Sequence, residues 1–218
     1  NSAFGTSALG TNTTGASNTA VGQLALTANT TGAENVAVGS GALGANTTAG
    51  SNVAVGTYSL DANTTGAANI AIGSHSLGVN TTGASNVAVG YAALDANTTA
   101  ANNTAVGYAA LGANTTGDYN TAVGQNSLDS STTGYRNTAM GVDSLNGLTT
   151  GGYNSGFGQH ALNQVTTGGS NTAIGYNSGA TTTTGSNNIS LGRDSGTTAA
   201  DSDGQCTLGS SSITNLRC

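Results

Sequence analysis

The sequence predicts an all-β protein, a parallel β-solenoid of 17-residue coils, and three observations support this prediction. An asparagine recurs every 17 residues from Asn1 to Asn188, and a glycine stands four residues after each one. A period this much shorter than a domain indicates stacked repeat units, each packed on its neighbours. Charged residues make up only 6%, there is no proline and 35 residues are glycine, so the chain lacks the high charge or proline content of disordered proteins.

The first element of each coil is a short strand. When each repeat is numbered from its asparagine as position zero, position +1 is Val, Ile, Thr or Ser, position +2 is nearly always Ala, and position +3 is always apolar. Successive side chains of a strand point to opposite faces, so positions +1 and +3 share one face and position +2 occupies the other. The alanines predict that the space on their side is narrow.

The second half of the coil predicts another strand and two bends. Position +8 is Leu in ten successive repeats, and positions +12 and +13 are a threonine pair in the first eleven. Because β-branched residues favour strands, we expect a second strand at the threonine pair and a bend at the small residue that follows it. Position +9 is Gly, Asn or Asp in nine of the first ten repeats, which predicts a bend with left-handed backbone angles there.

The asparagines at position zero predict a structural ladder in which each side-chain amide donates to the next. Its members include Asn18, Asn35, Asn52, Asn69, Asn86, Asn103 and Asn120. A second asparagine column occupies position +11 from Asn12 to Asn114 and then fails at Ser131, Leu148 and Val165.

The regular pattern divides the chain into a repeat domain over residues 1–195 and a divergent last coil with a C-terminal exit segment over residues 196–218. Residues 205–209 follow Asn188 by one period and repeat the strand pattern, and Ile213 falls in the leucine column. A narrow coil leaves either the +1/+3 face or the leucine column without cover, and such a stripe is too large to leave in water. Three-fold self-association would bury it, so we expect a parallel homotrimer.

Composition excludes several classes of function. The net charge is −6, and the only basic residues are Arg136, Arg193 and Arg217, which cannot neutralise a nucleic-acid backbone. No stretch reaches the roughly 18 apolar residues of a membrane span, so no membrane insertion is expected. The repeated columns contain no nucleophile–base pair and no cluster of metal-binding residues, so we expect no enzyme, no catalytic residue, no metal and no cofactor.

A candidate binding site lies in the last third of the chain, where the repeats depart from the common pattern. Tyr119, Arg136 and Tyr153 occupy position +16 in three consecutive coils, with Tyr135 beside them at +15 and His160 in a neighbouring coil. Aromatic rings together with arginine suit the docking of sugar rings or protein loops. The alternative interpretation is a ladder between coils that only stabilises a bend.

Two other columns offer alternative functions. Asp61, Asp95 and Asp129 recur at +9 in every second coil, about 9.6 Å apart, which is near the carboxylate separation of an inverting glycosidase. A polysaccharide depolymerase is therefore one alternative, although we interpret these aspartates as turn residues. The threonine columns provide the other alternative, an ice-binding or similar hydroxyl array, with only one of the two columns exposed.

The repeats resemble those of two related classes of fibrous protein. Residues 35–39 and 69–73 (Asn-Val-Ala-Val-Gly and Asn-Ile-Ala-Ile-Gly) resemble the head repeats of trimeric autotransporter adhesins. The longer repeat with Asn-Thr-Thr-Gly looks closer to bacteriophage tail fibres, and residues 207–217 are similar to segments that precede an intramolecular chaperone domain in such fibres.

This resemblance implies a left-handed β-roll that associates as a parallel homotrimer. It further implies a structural or adhesive segment of a trimeric fibre, on a virion or an extracellular cell surface, that projects or forms a surface for a host receptor such as a glycan.

Overall fold

A computed structural model describes residues 1–210, and these residues form a parallel β-solenoid with one three-residue strand in each coil. The thirteen strands pair in chain order as a single parallel sheet, and the described residues contain no helix. Paired residues are one period apart, for example Thr19 with Val36. The strands are β1 (Ser2–Phe4), β2 (Thr19–Val21), β3 (Val36–Val38), β4 (Val53–Val55), β5 (Ile70–Ile72), β6 (Val87–Val89), β7 (Thr104–Val106), β8 (Thr121–Val123), β9 (Thr138–Met140), β10 (Ser155–Phe157), β11 (Thr172–Ile174), β12 (Ile189–Leu191) and β13 (Cys206–Leu208). The all-β solenoid of 17-residue coils predicted from the period is confirmed.

The interior of the coil is filled by small residues and one leucine. The alanines at +2, the Ala or Ser residues at +7 and the leucines at +8 form one buried core along the solenoid, and Leu94 is 0% exposed. The side chains at +1 and +3 lie on the outer face of the sheet, where Ile72 is 41% exposed. We call this outer row of +1 and +3 side chains the apolar stripe. The leucine column is therefore inside the coil, and the apolar stripe is the surface that a single chain leaves uncovered.

The expected second strand is absent among residues 1–210, because the threonine pair forms a tight bend. The backbone N–H groups of residues 13–15 all donate to the carbonyl of Thr30 in the next coil, at 2.9, 3.1 and 3.3 Å. The Thr13 hydroxyl donates to the same oxygen at 2.9 Å. A strand ladder pairs each carbonyl with one donor, so this convergence on one acceptor turns the chain and does not extend it.

Position +9 lies in a turn, as predicted, but left-handed backbone angles occur at positions +6, +8 and +16 and not at +9. Leu94 at +8 has φ 52° and Tyr119 at +16 has φ 60°. Glycine is required at +4, where Gly90 has φ 139° and an added Cβ would overlap the carbonyl of Gly107 in the next coil. Each coil thus turns at residues with left-handed backbone angles, a conformation that costs an L-residue roughly 1–2 kcal/mol. Hydrogen bonds to neighbouring coils along the axis keep these residues in that conformation.

The two asparagine columns have different tasks. At position zero, the side chain mainly holds backbone groups: Asn86 Oδ1 accepts the N–H of Asn103 at 3.0 Å, and its Nδ2 donates to the carbonyl of Ala100 at 2.8 Å. Amide-to-amide contacts in this column are few and long, at 3.1–3.2 Å. At +11 the side-chain amides do bond to one another in succession, for example Asn97 Nδ2 to Asn80 Oδ1 at 2.8 Å. Within residues 1–210, amide-to-amide bonds therefore run unbroken from Asn12 to Asn114 at +11, whereas the ladder predicted at position zero has five such bonds and mainly holds backbone groups.

The +11 ladder ends inside the solenoid, where the column changes from polar to apolar. Ser131, Leu148 and Val165 succeed Asn114 and are all fully buried. Asn114 Oδ1 and Ser131 Oγ are buried without a hydrogen-bond partner in the described chain. The column thus tolerates both an amide ladder and apolar packing, and the junction between them leaves two polar atoms unsatisfied.

The last described coil is divergent in sequence but continues the sheet. Strand β13 pairs with β12 in the same register as the preceding strands, with Cys206 opposite Ile189, and Cys206 is exposed. Ile213, Arg217 and Cys218 lie outside the described residues, as does most of the segment similar to tail fibres. The domain boundary after residue 195 stays a prediction.

Candidate functional site

The side chains at position +16 project outward from a bend held by hydrogen bonds between coils. Tyr119, Arg136 and Tyr153 all have left-handed backbone angles, with φ values of 60°, 54° and 63°. The N–H of Arg136 donates to the carbonyl of Asp118 in the preceding coil at 3.0 Å, and the N–H of Tyr153 donates to that of Tyr135 at 3.1 Å. These bonds fix the spacing of the column, so the three exposed side chains lie one above another along the solenoid.

Arg136 lies between two tyrosine rings. Its Cζ is 5.5 Å from the ring centroid of Tyr119 and 5.7 Å from that of Tyr153, both within cation–π distance. Tyr135 packs edge to face against Tyr153, with 5.2 Å between centroids and 77° between planes. We call these four residues the tyrosine–arginine ladder. These side chains form contacts between coils and are also exposed, so the structure is compatible with both interpretations of the column.

A cleft of about 330 Å³ lies beside this ladder. Its lining residues are Thr116, Asp118, Tyr119, Thr133, Tyr135, Arg136 and Tyr153. The cleft combines one cation, one carboxylate, threonine and tyrosine hydroxyls and aromatic carbon. This mixture of polar groups and ring surface suits a ligand that has hydroxyl groups and some apolar surface.

His160 belongs to a separate cluster at position +6. Its Nδ1 is 3.8 Å from Asp143 Oδ2, and its ring meets that of Tyr176 at 6.1 Å between centroids. Gln159 lies beside it, with the two Nε2 atoms 3.3 Å apart. Four of the five predicted site residues are therefore brought together, and His160 is not among them.

A second aromatic row, which the sequence analysis did not find, runs along the neighbouring columns +5 and +6. The centroid distances are 5.7 Å from Tyr58 to His75, 6.1 Å from His75 to Tyr91 and 5.5 Å from Tyr91 to Tyr108, the last pair being stacked at 11°. The row as a whole was missed because its members change column, although aromatic residues at adjacent positions in four successive coils were a usable signal.

Two of the +9 aspartates border this row. A cleft of about 250 Å³ is lined by Tyr58, Asp61, His75, Gly78, Val79 and Asp95. Burial raises the pKa of Asp61 and of Asp95 above the ordinary value, and the charge of His75 opposes part of that effect. The pKa of Asp129 is raised by burial and further by the charge of Asp143.

Packing accounts for the alternation of aspartate and glycine at +9. A Cβ added to Gly44, Gly78 or Gly112 would come within 2.6–2.8 Å of a carboxylate oxygen of the aspartate in the following coil. Each aspartate side chain thus occupies space that is open only above a glycine. The residue types at +9 follow from this contact and not from left-handed backbone angles.

The two threonines of each pair differ in exposure. At +12 the hydroxyl donates along the axis, as in Thr64 Oγ1 to the carbonyl of Thr81 at 3.0 Å, whereas Thr65 at +13 is exposed. The solenoid therefore presents a single exposed threonine column. The asparagines of the Asn-Thr-Thr triplets from Asn29 to Asn114 are buried, for example Asn63 at 0% exposure, which agrees with a structural role for these triplets.

Within residues 1–210, no group of three or more His, Cys, Asp or Glu side chains could hold a metal ion. The same part of the chain has no helix that is both long and apolar enough to cross a membrane. No family model, no curated protein and no solved structure matches this chain.

Proposed function

We propose that this chain is a structural and adhesive segment of a trimeric fibre, either a phage tail fibre or a surface adhesin, on a virion or an extracellular cell surface. In this proposal, the rod carries a surface that binds a host receptor, and the receptor is a glycan. The observation that carries the proposal is the tyrosine–arginine ladder with its cleft, because it places three exposed aromatic rings and a cation beside one concave surface. Three copies of a weak site on one rod would gain affinity through multivalency.

The apolar stripe supports the trimeric part of the proposal. It extends along the whole described sheet, and its members Ile72, Met140 and Ile174 are 41%, 42% and 48% exposed. A continuous apolar row of this length exceeds the patches that monomeric proteins usually leave in water. Three parallel copies of a left-handed β-roll, packed through their stripes, would cover it. Light scattering that finds a stable folded monomer would contradict this arrangement.

The binding role is tested by removing the rings of the ladder. Replacing Tyr119, Tyr135 and Tyr153 with alanine should abolish adsorption to host cells, while circular dichroism and light scattering remain unchanged. A matched control replaces Tyr58, Tyr91 and Tyr108 with alanine, since these tyrosines form the other aromatic row. Unchanged adsorption of the first variant, or an equal loss in both, would contradict the assignment of the site.

The hydroxyl-array alternative rests on the exposed threonine column at +13. It predicts thermal hysteresis in solutions of the chain, and it predicts that the effect disappears when Thr65 and Thr82 are replaced with bulky residues. The fibre proposal predicts no thermal hysteresis, so one assay separates the two.

A further inference from the structure

We infer that the cleft beside the tyrosine–arginine ladder selects acidic glycans, with Arg136 binding the carboxylate of a sugar residue. This inference rests on the proposed glycan-binding function and specifies its ligand class. Arg136 is one of three basic residues in a chain whose net charge is −6, and residues 1–210 provide it with no ion pair.

Arg136 has no anionic partner in the described chain. The other described arginine, Arg193, donates from Nε to Asp194 Oδ2 at 3.1 Å while it lies over Tyr176 at 5.6 Å. Arg136 has two tyrosine neighbours instead of one, but residues 1–210 provide it with no ion pair and its guanidinium with no hydrogen bond. Its five N–H donors are thus available in a protein that has nine acidic residues and only three basic ones.

The two rings prepare the guanidinium for a planar anion. Contacts from Tyr119 and Tyr153 restrict the movement of a long side chain, so less conformational entropy remains to be lost when a ligand binds. The Arg136 Cζ lies 5.5 and 5.7 Å from the two ring centroids, and residues 1–210 make no hydrogen bond to the guanidinium, so its N–H donors are available to a ligand. A carboxylate accepts two such donors in parallel, and this is the geometry for which arginine is better suited than lysine.

The other polar groups of the cleft favour a sugar over a simple anion. Asp118 Oδ1 accepts the N–H of Ala101 at 2.7 Å, which holds the carboxylate in place and leaves its second oxygen to accept from a ligand hydroxyl. The exposed hydroxyls of Thr116 and Thr133 line the same cleft. Asp118 would repel an anion that has no hydroxyl groups, whereas a sugar acid offers both hydroxyl donors for Asp118 and a carboxylate for Arg136.

The experiment measures binding of the intact chain to acidic oligosaccharides and to their neutral counterparts. The probes are oligogalacturonate with its methyl ester, a glucuronate-containing oligosaccharide with its carboxyl-reduced form, and sialyllactose with lactose. The variants are Arg136→Gln and the matched control Arg193→Gln, which removes the same charge from another arginine on a tyrosine ring. Neither change touches the core, and circular dichroism verifies that both variants fold.

We expect the unmodified chain to bind at least one acidic probe more tightly than its neutral counterpart, by about tenfold or more, because a charge-assisted hydrogen bond is lost with the carboxylate. Arg136→Gln should remove this preference, and Arg193→Gln should preserve it. Equal affinity for acidic and neutral probes would overturn the inference, as would equal losses in both variants. Failure to bind any acidic probe, while adsorption to host cells still depends on the three ladder tyrosines, would overturn the inference and leave the proposed function standing. Adsorption independent of those tyrosines would overturn the proposed function itself.

Discussion

The different tasks of the two asparagine columns lead to a prediction that one coil can test. Asn86 at position zero and Asn97 at +11 belong to the same coil, and both are 0% exposed. Each side chain makes three hydrogen bonds, and an alanine substitution removes the same atoms at either site. A difference in the free energy of unfolding between Asn86→Ala and Asn97→Ala therefore arises from the atoms that each substitution leaves without a hydrogen-bond partner.

The two substitutions leave different kinds of atom without a hydrogen-bond partner. Asn86→Ala removes the only acceptor of the buried Asn103 N–H, which was bonded at 3.0 Å. Asn97→Ala removes the donor to the side-chain oxygen of Asn80, while Asn114 Nδ2 keeps its second bond, to Gly117 O at 3.1 Å. Orphaned backbone N–H groups are rarer than orphaned carbonyl oxygens, and this column already contains an unpaired amide oxygen at Asn114.

Three lost hydrogen bonds at a net ~1 kcal/mol each predict a destabilisation of about 3 kcal/mol for Asn97→Ala. The unsatisfied Asn103 N–H adds roughly 1–3 kcal/mol, so we expect about 4–6 kcal/mol for Asn86→Ala. Urea denaturation followed by circular dichroism gives the two losses, and hydrogen exchange should show faster exchange at Asn103 in the first variant only. Equal losses within about 0.5 kcal/mol, or unchanged protection of that amide, would refute the assigned role of position zero.

Other perturbations test the core, the glycine at +4 and the +9 carboxylates. Leu94→Ala should cost about 2–5 kcal/mol, as buried leucines generally do, whereas Leu24→Ala, at an exposed +6 position, should leave the urea midpoint nearly unchanged. Gly90→Ala should prevent soluble expression of folded chain because its Cβ would overlap the next coil, whereas Gly169→Ala should fold, since +15 carries alanine in other coils. Burial raises the pKa of Asp95 in the folded state above 3.8, so its protonated form favours folding and that contribution is lost as pH rises. Asp95→Asn should therefore be more stable than the parent at neutral pH, and thermal melts should show the difference disappearing below about pH 3.8; a difference that grows on acidification would contradict this.

The sequence predicted the stack and its register because both depend only on the period. Once a residue recurs every 17 positions, Thr19 must pair with Val36, and the alanines must share the inner face. The same reasoning brought Tyr119, Arg136 and Tyr153 together. Residues that recur every 17 positions can be identified in the sequence, and stacking of the strands in register brings these residues into contact along the solenoid.

Backbone conformation within the coil was not predictable in this way, because the intrinsic preferences of the residues favour other conformations. Threonine favours strands, yet the pair at +12 and +13 bends toward one carbonyl. Leucine rarely adopts left-handed angles, yet Leu94 has φ 52° because its side chain must enter the core. Coil-to-coil hydrogen bonds override these local preferences, and they become visible only in three dimensions. The row from Tyr58 to Tyr108 was missed for a related reason, since its members contact across columns.

Because the strand pairs and most other hydrogen bonds between coils join residues about one period apart, the protein should tolerate deletion or duplication of whole coils. Removing residues 52–68 would place Asn69 where Asn52 had been, with Asn35 Oδ1 ready to accept its N–H as it accepts that of Asn52. A deletion whose length is not a multiple of 17 residues would shift the following coils out of alignment with the preceding ones. Recombination between repeats in the gene could therefore lengthen or shorten the rod in increments of about 4.8 Å. The reach at which the tyrosine–arginine ladder meets its target would then be adjustable without any change to the ladder itself.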